Sequence, residues 1–193
     1  MNNSKVKIKS VENLSDNWYK LDKVTFDYEL KNGSWQHQIR ESYDRGDGAA
    51  ILLYNAEKQT VILTKQFRMP SYLNENEDGM MIEVCAGLLD EQDPITCIKN
   101  EAEEETGYKI SDPKKVFEIY STPGAVTEKI HYFVAEYSDA MKISEGGGLE
   151  EETEEIEVLE LDFKKAIKMI SSGEICDAKT IILLQYAQIN KLL

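Results

Sequence analysis

Cysteine and histidine are scarce in this chain, and that scarcity removes several chemistries. Its three cysteines, Cys85, Cys97 and Cys176, are odd in number and widely spaced. That arrangement suits neither a disulfide framework nor a zinc site; it reads as reduced, buried thiols in a cytoplasmic protein. His131 has no second His or Cys nearby at metal-ligating spacing and reads as a packing residue. Long apolar runs are missing too. No stretch approaches the roughly 20 residues of a membrane span, and the N-terminus lacks the apolar core of a secretory signal. Basic charge is in short supply. Lys and Arg number 22 against 36 Asp and Glu, a net charge of −14. Such a chain repels polyanions, which argues against nonspecific binding to nucleic acid and to anionic membrane. A phosphate-bearing ligand would have to be met by local cations or a metal ion.

What is present suffices for one packed domain with a small appendage: 193 residues, 41% of them hydrophobic. The most informative stretch runs from Gly87 to Tyr108. Its middle predicts a helix with both ends marked. Asp93 can accept from the first unpaired N–H groups, Pro94 suits the first helical position, and Gly107 suits a left-handed C-terminal residue. With Glu101 at 0° on a helical wheel, Glu104 falls near about −60°, Glu105 near about +40° and Glu103 near about 200°. Three carboxylates therefore share a face and Glu103 points away. Acidic runs on helices are ordinarily solvated faces. Like charges packed on one face cost free energy unless a cation sits among them, and a hard divalent ion prefers oxygen ligands.

Glu101-Ala102-Glu103-Glu104-Glu105-Thr106-Gly107-Tyr108 resembles the second half of the Nudix hydrolase box. Asn100 stands where that family carries Arg or Lys, the segment from Gly87 to Glu101 is one residue shorter than usual, and Asp93 takes the place of the first Glu. The resemblance implies an α/β fold, an αβα sandwich with a mixed β-sheet, in which the box builds the metal and pyrophosphate site.

The likeness extends along nearly the whole chain. Residues 4–45 alternate β-prone side chains around Asn32-Gly33, a hairpin signal. We expect residues 1–45 to form an N-terminal β arm and 46–193 the hydrolase domain. In the branch acting on nucleotide sugars and ADP-ribose, such an arm packs across a homodimer and contributes to the partner's site. Trp18 matches a base-stacking position, with arm packing as the other reading, and Ile39, Arg40 and Glu41 match arm residues that reach substrate. Gln66-Phe67-Arg68 resembles an element whose Arg contacts phosphate; a planar guanidinium can make two parallel bonds there. Ala86, Gly87 and Leu88 match the nucleotide-sugar pocket, with the Ala86 carbonyl as a metal ligand. Thr122-Pro123-Gly124 matches a loop followed by a substrate-contacting Glu, here Glu128. Ser144 to Glu155 holds three successive glycines and then a glutamate cluster. The resemblance places a metal-binding general base at Glu152, with Glu151 beside it in the pocket. Gly173 to Thr180 resembles the C-terminal element of GDP-mannose pyrophosphatases, in which the Lys, here Lys179, contacts substrate.

The implied reaction is Mg²⁺-dependent cleavage of a nucleoside-diphosphate sugar, with Mn²⁺ as a substitute. Glu101, Glu104, Glu105, Glu152 and the Ala86 carbonyl would hold the metal. GDP-mannose would give GMP and mannose 1-phosphate. The alternatives are ADP-ribose, giving AMP and ribose 5-phosphate, and a non-catalytic nucleotide-binding regulator.

Overall fold

The computed structural model describes residues 4–148 and 155–193. The chain divides into two compact units, one of Met1–Asp47 with Tyr120–Lys129, the other of Gly48–Ile119 with Ile130–Leu193.

In the first unit β1 (Val6–Asp16), β2 (Lys20–Glu29) and β3 (Trp35–Asp44) form an antiparallel three-stranded sheet in that order. Asn32-Gly33 lies in the β2–β3 turn, where Gly33 takes φ +82° and donates to the Leu30 carbonyl at 2.9 Å. Ile8, Val11 and Leu14 of β1 are exposed, so these strands enclose no core of their own. The segment 120–129 is fastened to β3 through Tyr43, whose N–H donates to Ala125 and whose carbonyl accepts from Thr127.

The second unit is a layered α/β structure. Its central strands are β4 (Gly48–Asn55) and β5 (Thr60–Phe67), antiparallel to each other. β10 (Glu157–Asp162) flanks β5, and β9 (Lys129–Glu136) runs parallel to β4, with β8 (Lys114–Tyr120) beyond it. Two short strands complete this mixed sheet: β6 (Met80–Glu83) pairs with β5, and β7 (Cys85–Leu88) with β4. The helices are α1 (Met69–Tyr72), α2 (Pro94–Thr106), α3 (Phe163–Ser172) and α4 (Ala178–Ile189).

β4 is apolar at nearly every position because both of its faces are covered. Ala50 and Leu52 join a core with Phe163, Ala166, Leu183, Leu184 and Ala187 of α3 and α4. Ala49, Ile51 and Leu53 join a second core with Cys97, Ile98 and Ala102 of α2. The period-2 alternation of a strand thus divides one sequence between two helical layers, which is the αβα sandwich that the resemblance implied.

Two readings need correction. Cys85 and Cys97 are buried, but Cys176 is exposed; it lies in the turn between α3 and α4, with its Sγ 4.0 Å from the Met81 sulfur. Trp18 does not pack in the arm. It occupies the β1–β2 turn with 84% of its surface open, touching Tyr19 edge-on. Among the described residues, no helix is long and apolar enough to cross a membrane.

Candidate active site

Helix α2 forms where its caps say it should. The Asp93 carboxylate accepts from the N–H groups of Ile95 and Thr96, both at 3.1 Å, and Gly107 ends the helix at φ +78°. Hydrogen bonding from Thr96, by side chain first and then by its N–H, and from the Ile95 N–H holds the Asp93 carboxyl below its ordinary pKa. Ahead of it, the turn from Leu89 to Gln92 puts two successive non-glycine residues, Asp90 and Glu91, at positive φ. Asn100 donates to the Gln92 side chain at 3.1 Å, so it closes onto this loop.

The helix presents Glu101 and Glu105 to the strand β7. The Glu105 carboxylate is 2% exposed and accepts from the Ala86 N–H at 3.3 Å. The Glu101 carboxylate lies directly over the α-carbon of Gly87, where a Cβ would stand 1.9 Å from its Oε1. Burial, and then the nearby Glu105 and Glu101, push the Cys85 thiol far above its ordinary pKa. Cys97, one turn before Glu101, is pushed up to about 12 by burial first and then by Glu101, Asp90, Asp93 and Glu104. Glu104 is exposed, and Glu103 points toward Lys109 at 3.5 Å. Among the described residues, no group of three or more His, Cys, Asp or Glu side chains is placed to hold a metal ion. The carboxylates of Glu101 and Glu105, brought to Gly87 and Ala86, are oxygen donors, the chemistry a hard divalent cation prefers.

Arg68 and Lys179 meet on a residue that sequence reading did not single out. Glu83 ends β6 and is 4% exposed. Its Oε2 accepts from Arg68 Nε at 2.8 Å and its Oε1 from Lys179 Nζ at 2.5 Å. Lys179 also reaches Asp177 at 3.1 Å. Burial alone would raise the Glu83 pKa, but Lys179 and Arg68 outweigh it and hold the carboxyl below its ordinary value. Burial likewise opposes the charge on Lys179, and Glu83 and Asp177 hold its pKa above the ordinary one. Asp177 caps α4 through the Thr180 N–H, and the Thr180 hydroxyl accepts from the buried Val84 N–H at 2.8 Å. The one clue in the sequence was a lone carboxylate inside an apolar strand, which calls for partners when buried.

The glycine stretch is docked on the end of α2. The Gly147 N–H donates to the Glu105 carbonyl at 2.9 Å, Gly148 to Glu104 at 3.2 Å, and Ile143 to Gly107 at 2.8 Å. These bonds satisfy carbonyls that a helix C-terminus leaves without internal partners. Glu151 and Glu152 lie outside the described residues.

In the arm unit, Ile39 is 49% exposed and Arg40 and Glu41 are exposed beside it on β3. Arg45 stands 3.5 Å from Glu128 and 5.4 Å from the Tyr19 ring. Gly87 and Leu88 lie on β7 beside Ala86.

Comparison with known proteins finds two adjoining matches. Residues 5–43 match the family model described as the GDP-mannose pyrophosphatase NudK N-terminal domain, and residues 44–174 match the NUDIX domain. A protein of Pectobacterium atrosepticum called GDP-mannose pyrophosphatase is 56% identical over 92% of this chain and 91% of its own length. Proteins of the same name from Salmonella typhimurium and Escherichia coli are 53% identical over 93% of both chains. A domain match that spans the box and its sheet, together with identity sustained along nearly the full length, makes this chain a member of the Nudix hydrolase family.

Proposed function

We propose that this enzyme hydrolyses the pyrophosphate bond of GDP-mannose, releasing GMP and mannose 1-phosphate, with Mg²⁺ as cofactor and Mn²⁺ as a substitute. The observation that carries the reading is the 56% identity to a GDP-mannose pyrophosphatase across 92% of the chain. A pyrophosphate repels an incoming nucleophile, so the site must offset its charge and present an activated water. Glu101, Glu105 and the Ala86 carbonyl would hold the metal, joined by Glu104 and Glu152. When bound, Mg²⁺ offsets phosphate charge and lowers the pKa of water. Arg68 and Lys179 would bind the diphosphate oxygens, Arg68 by its guanidinium fork. Glu152 would orient or deprotonate the water, with Glu151 beside it. Gly87 and Leu88 would line the sugar-nucleotide pocket; Glu128 is assigned a substrate contact by the resemblance alone.

The arm's share of the site comes, on this reading, from a second copy of the chain. Trp18, Ile39, Arg40 and Glu41 are all exposed on the arm unit. An open tryptophan face suits a guanine base, stacking being worth roughly 1–3 kcal/mol in single-strand nucleic-acid complexes. The setting is the cytoplasm, in keeping with three free thiols. Light scattering that gives a fully active monomer would remove the arm from the site.

The test is a product analysis. Purified protein is incubated with Mg²⁺ and either GDP-mannose or ADP-ribose, and nucleotides are resolved by ion exchange. GMP released faster from GDP-mannose is the expected result. Faster release of AMP from ADP-ribose overturns the substrate.

A further inference from the structure

We propose that Glu83 is a positioning residue for diphosphate binding: its single carboxylate grips Lys179 through Oε1 and Arg68 through Oε2, and so sets the spacing and direction of the two cations. The proposal rests on the functional reading above in taking Arg68 and Lys179 as the groups that meet the substrate.

Three observations carry it. First, the two cations come from distant parts of the chain. Arg68 lies just past the end of β5 and Lys179 is in the first turn of α4, 15 and 96 residues from Glu83. Nothing in either element fixes one relative to the other; the shared carboxylate does. Second, the grip on Arg68 is directional. Glu83 takes the Nε edge of the guanidinium, and the two terminal amino groups donate to no partner among the described residues. A guanidinium has five donors in a rigid plane, so clamping one edge aims the other. The Arg68 side chain remains 41% exposed, which leaves that other edge able to meet a ligand. Third, the clamp is itself supported. Asp177 holds Lys179 from a second side while capping α4, and Thr180 ties the same helix start to the Val84 N–H, one residue past Glu83.

The charges matter as well. Glu83 and Asp177 carry two negative charges against the two positive charges of Arg68 and Lys179. The group is balanced before any ligand arrives, and the two carboxylates keep the mostly buried Lys179 charged. What the cluster offers a diphosphate is placed donors, not surplus charge.

The experiment is calorimetric titration with inorganic pyrophosphate in Mg²⁺, together with GMP release from GDP-mannose. The proteins are the parent, Glu83→Gln, Glu83→Asp, Lys179→Ala and the Glu83→Gln/Lys179→Ala double variant. By analogy with the loss of a partner that orients a ligand-binding group, Glu83→Gln should weaken pyrophosphate binding by at least about tenfold. KM should rise more than kcat falls. In the Lys179→Ala background the same change should cost less than it does in the parent, since one of the two cations it serves is gone. Glu83→Asp keeps the charge but is too short to hold both cations; it should show a smaller loss of the same kind, and it carries the test if Glu83→Gln does not fold. Unchanged pyrophosphate binding, additive losses, or a parent that binds no pyrophosphate overturns the proposal. A parent that binds pyrophosphate but releases no GMP overturns the substrate reading alone.

Discussion

The Glu101 carboxylate sits on the α-carbon of Gly87, closely enough that a Cβ there would stand 1.9 Å from Oε1. Gly87 is not in the left-handed region, so its backbone tolerates any residue. The obstacle to a side chain is the far end of a flexible glutamate, which can swing aside. Gly87→Ala should therefore fold with a stability within about 1 kcal/mol of the parent and yet lose activity through a displaced carboxylate. A thermal melt alongside a Mg²⁺ titration of activity checks this. Unchanged activity at low Mg²⁺ would remove Glu101 from the metal site.

Two neighbouring glutamates should behave oppositely. Glu103 makes a solvent-facing pair with Lys109, and such pairs are worth about 0–1 kcal/mol. Glu103→Gln should be nearly silent in turnover. Glu105 is buried against the Ala86 N–H. Glu105→Gln should cost more than the roughly 10–100-fold typical of losing a partner behind a metal ligand. Comparable losses in both variants would contradict the assignment of faces.

A pair of glycines separates backbone strain from contact. Gly146 and Gly173 share a positive φ, +70° and +85°. A Cβ on Gly146 would stand 2.4 Å from the Glu105 carbonyl oxygen, whereas one on Gly173 would meet nothing within 4 Å. Gly173→Ala should cost about 1–2 kcal/mol, the price of a left-handed alanine. Gly146→Ala should cost distinctly more, because backbone must move. Equal midpoints in urea would mean that the glycine stretch does not rest on α2 in solution.

The Glu83 cluster predicts a particular acid sensitivity. Glu83 is held below its ordinary pKa by Lys179 and Arg68 against the opposing effect of burial. Its contribution to stability is thus complete above the ordinary carboxylate value of about 4.3 and is lost as pH falls through the depressed folded value. Lys179 is raised, so its contribution is complete below about 10.4 and is lost only as pH rises through the folded value. Glu83→Gln should be less stable at pH 7, near the lower end of the ~3–5 kcal/mol seen when a buried pair is broken, because Arg68 is partly solvated. The gap should close in strong acid, where the parent is protonated too. Urea unfolding at neutral and acid pH measures it, and a gap that does not depend on pH would mean that Glu83 is not charged in the fold.

Much of the architecture could be read from local chemistry. Helix α2 was legible because Asp93, Pro94 and Gly107 mark its ends without help from the rest of the chain. β4 was legible because a strand covered on both faces has to be apolar throughout. Local signals failed where none existed. Helix α1 has four residues, Pro70 near its start and no side-chain cap, and residues from 71 onward read simply as a polar loop. Cys176 was read as buried because cysteine usually is, but a turn between two helices left it outside. Glu83 shows the deeper difficulty. Its partners come from the residue after β5 and from α4, and nothing in the spacing of residues 68, 83 and 179 announces that they meet.

That meeting has a practical consequence for dissecting the molecule. The NUDIX domain match stops at residue 174, and a polypeptide cut there would keep the whole glutamate box. It would also lack α4, and with it the buried Leu183, Leu184 and Ala187. The Val84 amide and the Glu83 carboxylate would be stripped of Thr180 and Lys179. The boundary drawn by family likeness thus falls inside the working unit, and a minimal fragment has to run through the last helix.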